Sequence, residues 1–215
     1  QALEQWGWRI PFAIGGALAL IVLVLRRRLM ETEHFERVAA THDARRSGFA
    51  ALIRHHPGAA ALVIALTAGG TLAFYTYSTY MQKYLVNSSG FSRESASWIM
   101  AAALFCFMCL QPAFGALSDR IGRRPLMIGF GIAGLFGTVP LFRALEAAHD
   151  PMTAFALVLT ALIAVSGYTS INAVVKAELF PAHIRALGVA LPYAIANALF
   201  GGSAEYVALQ LKALG

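Results

Sequence analysis

The 26 residues from Pro57 to Gln82, PGAAALVIALTAGGTLAFYTYSTYMQ, contain no Asp, Glu, Lys or Arg. A helix needs about 20 apolar residues to cross the hydrocarbon core of a bilayer, so this stretch is long enough to span a membrane. Five further charge-free runs of 16 to 25 residues are Ile10–Leu25, Ser95–Ser118, Pro125–Phe142, Pro151–Val175 and Ala186–Ala204. Together they predict an all-α polytopic membrane protein with about six transmembrane helices, and they exclude a secreted or cytosolic globular domain.

The composition of the 215-residue chain agrees with this prediction. Hydrophobic residues make up 58% of it and charged residues 13%, about half the charged fraction of a typical soluble domain. The net charge of +6 does not indicate a nucleic-acid partner, because twelve Lys and Arg residues fall in alternate loops on one side of the predicted spans and five on the other. Basic loops are cytoplasmic, which places both termini outside. Lys176, directly after the fifth run, is counted with the cytoplasmic loops.

The segment Gly115–Arg124, GALSDRIGRR, connects the third and fourth spans. Gly115 is expected to let two helix backbones approach closely, and Gly122 to permit a tight reversal. Asp119 can accept hydrogen bonds from a helix N-terminus or pair with arginine. The remaining charged residues of the segment are Arg120, Arg123 and Arg124. An ordinary basic hairpin would account for the arginines and glycines alone, whereas the full string resembles the signature loop of major facilitator superfamily transporters.

Two other segments support the same resemblance. Glu178-Leu-Phe-Pro181, followed by Arg185 and Gly188, looks like the superfamily loop before the eleventh helix, and Trp8–Phe12 resembles the entry to its sixth helix. The resemblance implies a partial major facilitator fold covering helices six to eleven of twelve.

On that register, residues 1–25 are helix six, residues 26–57 the central cytoplasmic loop and residues 58–215 the C-terminal bundle. The chain begins with Gln, and no targeting signal precedes its first span. We therefore expect a slice of a larger protein, whose N-terminal bundle would be a partner of this one.

The resemblance also implies a gate on the cytoplasmic face. Asp119, Arg120 and Arg124 would meet Glu178 and Arg185 there in the outward-open state, and opening inward would break those pairs. The same gating segment includes Gly115, Gly122 and Arg123. The alternative is that these charges only determine membrane topology.

A narrower resemblance is to the metabolite:proton symporters. Gly69–Lys83 looks like the seventh helix of that family, and Phe200–Leu209 is similar to the eleventh helix of its 2-oxoglutarate carriers. This implies a secondary transporter that takes up 2-oxoglutarate or a related organic acid with protons, multi-pass in the bacterial inner membrane. Osmolyte, shikimate and citrate carriers share much of the pattern, so each of these substrates is an alternative.

Polar side chains in the second span are candidates for substrate binding. Tyr77 and Tyr80 share a helix face, and Tyr80 and Lys83 form an overlapping stripe. Tyrosine hydroxyls and a lysine could hold a carboxylate. The alternative is an aromatic belt at the outer interface, because these residues lie in the last turns of the span.

The last span carries a second strip, with Tyr193, Asn197 and Glu205 at multiples of four residues. Asn197 lies near the bilayer centre, where an unsatisfied amide is costly, so it is expected to bind substrate or to form a hydrogen bond between helices. Glu205 is the only acid in an otherwise apolar run and is a candidate proton carrier, unless it simply reaches the outer interface.

Other function classes find little support in the sequence. No Lys or Arg falls at the middle of a predicted span, so the strongest anion contacts are expected in the N-terminal half. Cys106 and Cys109 form a lone C-x-x-C within the third span, and the His residues lack ligand spacing, so neither a metal site nor a cofactor is predicted. A membrane-embedded enzyme would need clustered acids or histidines, and hydrolysis of ATP a phosphate-binding loop. The sequence predicts neither.

Overall fold

The computed structural model describes residues 6–7, 9–28, 48–203, 206–207 and 210. The chain divides into two units, Gln1–Ala44 and Arg45–Gly215, and each is described by itself. In the first unit, helix α1 runs from Arg9 to Arg28 and contains 20 residues. The Arg9 guanidinium lies over the Trp6 ring, 4.9 Å from its centroid, an arrangement suited to the membrane interface.

The second unit consists of helices joined by short turns. Its α-helices are α2 Phe49–His55, α3 Pro57–Tyr75, α4 Met81–Asn87, α5 Arg93–Ile121, α6 Arg123–Glu146, α7 Pro151–Thr169, α8 Asn172–Glu178 and α9 Arg185–Ala196. Two π-helical turns, Thr76–Tyr80 and Asn197–Gly201, follow α3 and α9. The described residues contain no β-strand.

Five helical segments of the described residues are long and apolar enough to cross a membrane. They are Arg9–Arg27, Pro57–Asn87, Arg93–Ile121, Arg123–Glu146 and Pro151–Glu178. This confirms the predicted all-α membrane architecture. The sixth predicted run begins within α9, and its last residue, Ala204, and the following Glu205 lie outside the described residues.

Local sequence signals fix the ends of the long helices. The Ser92 hydroxyl accepts a hydrogen bond from the Ser95 backbone N–H at 3.1 Å and caps α5. The Asp150 carboxylate does the same for α7 with the Thr153 N–H at 2.9 Å, and Pro151 follows at the first helical position. Gly122 separates α5 from α6 with φ +88° and ψ 162°, a conformation that side chains with a Cβ rarely adopt.

Helix α7 is central to the second unit: it packs against α5 and α6 and also touches α3, while α3 packs against α9. The larger apolar core forms around α7 and includes Met81, Met100 and Leu162. A smaller cluster joins α2, α3 and the turn before α9 through Leu52, Val63, Phe180 and Ile184. The outer face of α6 leaves large apolar side chains exposed, including Ile132, Leu135, Phe136 and Val139. In a bilayer this exposure is not a penalty, because lipid tails are as apolar as these side chains.

Candidate functional site

The fifth membrane segment is interrupted at Ser170 and Ile171, between α7 and α8. No glycine or proline occupies the break. Instead, the hydroxyl of Ser170 donates to the Ser166 carbonyl at 2.7 Å, and the Asn172 amide donates to the Thr169 carbonyl at 2.8 Å. Such local side-chain bonds compete with the helical ladder and favour a bend.

Gln111 of α5 holds this broken region in place. Its Nε2 donates to the Ser166 hydroxyl at 3.2 Å, and its Oε1 accepts from the Thr169 hydroxyl at 2.9 Å. Both bonds lie between helices, where unsatisfied amides would be costly. The network therefore ties α5 to the end of α7.

Lys176 lies on α8 and is 1% exposed. Its Nζ donates to the Tyr168 hydroxyl at 3.0 Å and to Asn172 Oδ1 at 3.3 Å. The same Nζ lies 4.7 Å from the ring centroid of Tyr193 and 5.4 Å from that of Tyr168. Within the described residues, no carboxylate forms an ion pair with it. The expectation that Lys176 belongs to a cytoplasmic loop is therefore wrong, because α8 extends the fifth segment to Glu178.

A cavity of about 240 Å³ opens beside Lys176. Its lining residues come from α3, α7, α8, α9 and the π-helical turn that follows α9, and they are Gly70, Thr71, Phe74, Tyr75, Tyr168, Thr169, Asn172, Tyr193 and Asn197. Sites for drug-sized ligands are larger, about 300–1,000 Å³, so this volume suits a small metabolite. The wall combines hydroxyl and amide groups with four aromatic rings.

The ring of Tyr168 reaches the cavity across the backbone of Gly70. A Cβ at Gly70 would lie 2.0 Å from two ring carbons of Tyr168. On its other side, the Tyr168 ring stacks against Phe130, with ring centroids 5.2 Å apart. Tyr168 is thus clamped between α3 and α6, and only glycine at position 70 leaves room for it.

Two residues predicted from the sequence, Tyr193 and Asn197, line this cavity. Asn197 Oδ1 accepts a hydrogen bond from the Thr71 hydroxyl at 3.4 Å. Both functions expected of Asn197, contact between helices and a position facing a cavity, are thus compatible with its surroundings.

The structure places Tyr77 and Tyr80 elsewhere. Tyr77 is 5% exposed in the core around α7, and its hydroxyl lies 2.6 Å from that of Thr138. Tyr80 packs against Tyr84 and Phe142. These tyrosines face α6 rather than the cavity, because the cavity uses Gly70, Thr71, Phe74 and Tyr75 of α3.

Lys83 also lies apart from the cavity. It lines a separate groove of about 460 Å³ with Gln82, Val86, Asn87, Arg93 and Ser97. Glu205, the predicted proton carrier, lies outside the described residues.

The loop between α5 and α6 meets the end of α8. Arg123 Nη1 lies 2.9 Å from Glu178 Oε1, with both side chains about half exposed. Arg185 donates from Nε to the Phe180 carbonyl at 3.2 Å. In the described part of the chain, Asp119, Arg120 and Arg124 form no ion pair, and the partner of Glu178 is Arg123, which belongs to the same predicted gating segment.

The expected role of Gly115 in a close helix contact is not seen. A Cβ at Gly115 would meet no atom of the described chain within 4 Å. The close approaches instead occur at Gly70, and at Gly188, where a Cβ would lie 2.6 Å from the Phe180 ring.

The Arg123–Glu178 pair should contribute little to stability, since exposed ion pairs stabilise proteins by about 0–1 kcal/mol. We expect Arg123→Glu to lower the apparent melting temperature by a few degrees at most, and Arg123→Glu/Glu178→Arg to restore it. Thermal unfolding in detergent measures both variants, with Arg124→Glu as the control. A loss that the double variant does not recover would show that the pair is not formed as described.

Comparison with known proteins identifies relatives of this chain. Residues 70–202 match the sequence profile of the Major Facilitator Superfamily. The chain is 53% identical over 214 residues to the alpha-ketoglutarate permease of Escherichia coli K12, covering 100% of this chain and 49% of the relative. It is 34% identical over 220 residues to a citrate-proton symporter of Salmonella typhi, with the same two coverages.

A third relative is the glycine betaine/proline/ectoine/pipecolic acid transporter OusA of Dickeya dadantii, 31% identical over 210 residues that cover 94% of this chain and 42% of the relative. The chain thus spans about half the length of the curated relatives it matches. No solved structure is significantly similar to it.

Proposed function

Because the chain belongs to the major facilitator superfamily, we propose that it is part of a secondary active transporter that moves 2-oxoglutarate or a related organic acid together with protons. Family membership confirms the resemblance read from Gly115–Arg124, and the membrane segments make the protein multi-pass. The relatives are a permease, a symporter and a transporter, which accords with a protein that is not an enzyme.

One observation carries the choice of an organic acid. The cavity between the membrane segments has a buried ammonium group, Lys176, directly behind its wall, and within the described residues no carboxylate neutralises it. A carboxylate substrate would compensate that charge. The names of two relatives, an alpha-ketoglutarate permease and a citrate-proton symporter, support the same substrate class.

An osmolyte such as glycine betaine is the second candidate, because one relative is a betaine transporter and four aromatic rings line the cavity. Aromatic faces attract quaternary ammonium groups. However, the Lys176 ammonium already lies near the faces of Tyr168 and Tyr193. A second cation there would meet a like charge, so the geometry favours the acid.

The remaining assignments complete the proposal. Residues 1–25 would be helix six, residues 26–57 the central loop and residues 58–215 the C-terminal bundle, which would work with an N-terminal bundle in the bacterial inner membrane. Substrate would enter between the two bundles and be released as they rock. The charged loop at Asp119–Arg124 would meet Glu178 and Arg185 at the cytoplasmic gate, and Glu205 would carry the proton.

The test is uptake of labelled 2-oxoglutarate into proteoliposomes that contain the full-length protein carrying this chain. We expect an inward proton gradient to drive accumulation, and unlabelled 2-oxoglutarate to compete more strongly than glycine betaine or shikimate. Glu205→Gln should abolish the response to the gradient and leave exchange of labelled for unlabelled substrate, because exchange needs no net proton movement. Uptake of betaine but not of 2-oxoglutarate by competent protein would contradict the organic-acid assignment.

A further inference from the structure

Lys176 is the only charged side chain fully buried within the described residues. An uncompensated ammonium in a membrane protein is expensive and is retained where it serves a function. Tyr168, Asn172 and Tyr193, the three residues that surround its Nζ, all line the cavity, whereas Lys176 itself does not. The charge therefore acts on the cavity through its neighbours.

The directions of the hydrogen bonds show how it acts. An ammonium only donates, so the Tyr168 oxygen accepts from Lys176 and its own O–H must donate elsewhere. The buried Thr67 hydroxyl lies beside Tyr168 and interacts with the same oxygen as a donor, which leaves the Tyr168 proton available for a ligand. Asn172 is partly committed, since Oδ1 accepts from Lys176 and one of the two Nδ2 hydrogens donates to the Thr169 carbonyl. Both groups bonded to Lys176 therefore keep a donor for a ligand, but only in Tyr168 is that donor on the same atom that accepts from the ammonium.

We propose that the Tyr168 hydroxyl donates the hydrogen bond that holds the substrate carboxylate, and that Lys176 is a positioning residue that polarises this hydroxyl and makes the site selective for acids over zwitterions. This inference rests on the proposed transport of organic acids. A hydroxyl that accepts from a cation becomes a stronger donor, because successive hydrogen bonds polarise one another. The same positive charge attracts a carboxylate across the low-dielectric wall.

The geometry fixes the direction of the donor as well as its strength. The Tyr168 ring is confined by Gly70 on one side and Phe130 on the other, so its hydroxyl cannot swing away from Lys176. A donor held in place before the ligand arrives loses little entropy on binding. Zwitterions gain less binding free energy from this donor, because Lys176 would repel their own cationic group.

The experiment compares Tyr168→Phe, Lys176→Met and the double variant in the full-length transporter. The concentration of labelled 2-oxoglutarate that gives half-maximal uptake should rise about 10- to 100-fold in each single variant, the range expected for a lost hydrogen bond to a charged group. The maximal rate should change less. Arg143→Met, which removes an exposed cation from α6, is the matched control and should leave half-saturation unchanged.

Two further readouts separate this role from simple packing. Because Lys176 is proposed to act through Tyr168, the half-saturating concentration of the double variant should be no higher than that of the more impaired single variant. Competition by glycine betaine relative to 2-oxoglutarate should strengthen in both single variants, which a general loss of structure would not produce. Tyr168→Phe keeps the ring between Gly70 and Phe130, so this variant should fold. Its half-saturating concentration therefore tests the proposal even if Lys176→Met fails to fold.

The outcomes distinguish the two proposals. Normal half-saturation in Tyr168→Phe, or losses that multiply in the double variant, would overturn the Lys176–Tyr168 inference while leaving organic-acid transport intact. Absence of 2-oxoglutarate uptake by the unsubstituted, competent transporter would overturn the proposed function and this inference with it.

Discussion

Gly70→Ala is expected to lower the apparent melting temperature of the full-length protein and, on the proposed function, to abolish uptake of 2-oxoglutarate. The added methyl would lie 2.0 Å from the Tyr168 ring, which has no free space to move into because Phe130 stacks on its other side. Overpacking of this kind typically destabilises by about 1–3 kcal/mol. Displacement of Tyr168 would also break its hydrogen bond with Lys176, so binding and stability should fall together.

Gly69→Ala is the matched control for this variant. It makes the same chemical change one position earlier in α3, where a Cβ meets no atom of the described chain within 4 Å. We expect its melting temperature and its uptake to remain close to those of the unsubstituted protein. Thermal unfolding in detergent and initial uptake rates measure the pair, and equal behaviour of the two alanine variants would contradict the clamp on Tyr168.

Gly122→Ala should be the other strongly destabilising substitution. Gly122 has φ +88° and ψ 162° where the chain reverses between α5 and α6. Residues with a Cβ occupy this region at a cost of about 1–3 kcal/mol. The reversal sets the position of Arg123, so we also expect the ion pair with Glu178 to be lost.

The measurement is again the apparent melting temperature, with Gly129→Ala as the control. Gly129 lies within α6 with open space around its Cβ position, so alanine there should be neutral or slightly stabilising. A Gly122→Ala protein as stable as Gly129→Ala would show that the loop adopts another conformation.

The membrane architecture could be predicted from the sequence because a helix surrounded by lipid must be free of charged residues over its whole span. The runs Ser95–Ser118 and Pro125–Phe142 became α5 and α6 with only a few residues added at each end. The signature loop likewise predicted a tight reversal at Gly122, which its positive φ confirms.

The cavity was only partly predictable. Tyr193 and Asn197 were found because polar residues at helical spacing stand out in an apolar span. Tyr168 and Lys176 do not stand out in this way, because a charge at the end of an apolar run usually marks the membrane surface. The available signal was the four-residue spacing of Tyr168, Asn172 and Lys176 together with the polar stretch 166–172.

The arginine that pairs with Glu178 could not be singled out from the sequence for a different reason. Residue types showed that an arginine could meet Glu178 but not which one, since this depends on the direction in which each side chain leaves the turn after Gly122. Tyr77 and Tyr80 illustrate the same limit, because helical spacing places residues on a face without saying which neighbour that face meets.

Helix α8 has seven residues, and Lys176 and Glu178 lie two positions apart on it. One of them bonds to the cavity wall and the other to the loop between α5 and α6. Because one seven-residue segment makes both contacts, any tilt of α8 would change both at once. A ligand in the cavity that favours one orientation of α8 would therefore also favour one arrangement of the Arg123–Glu178 contact. By thermodynamic reciprocity, a change at that contact would alter the affinity for the ligand by the same factor.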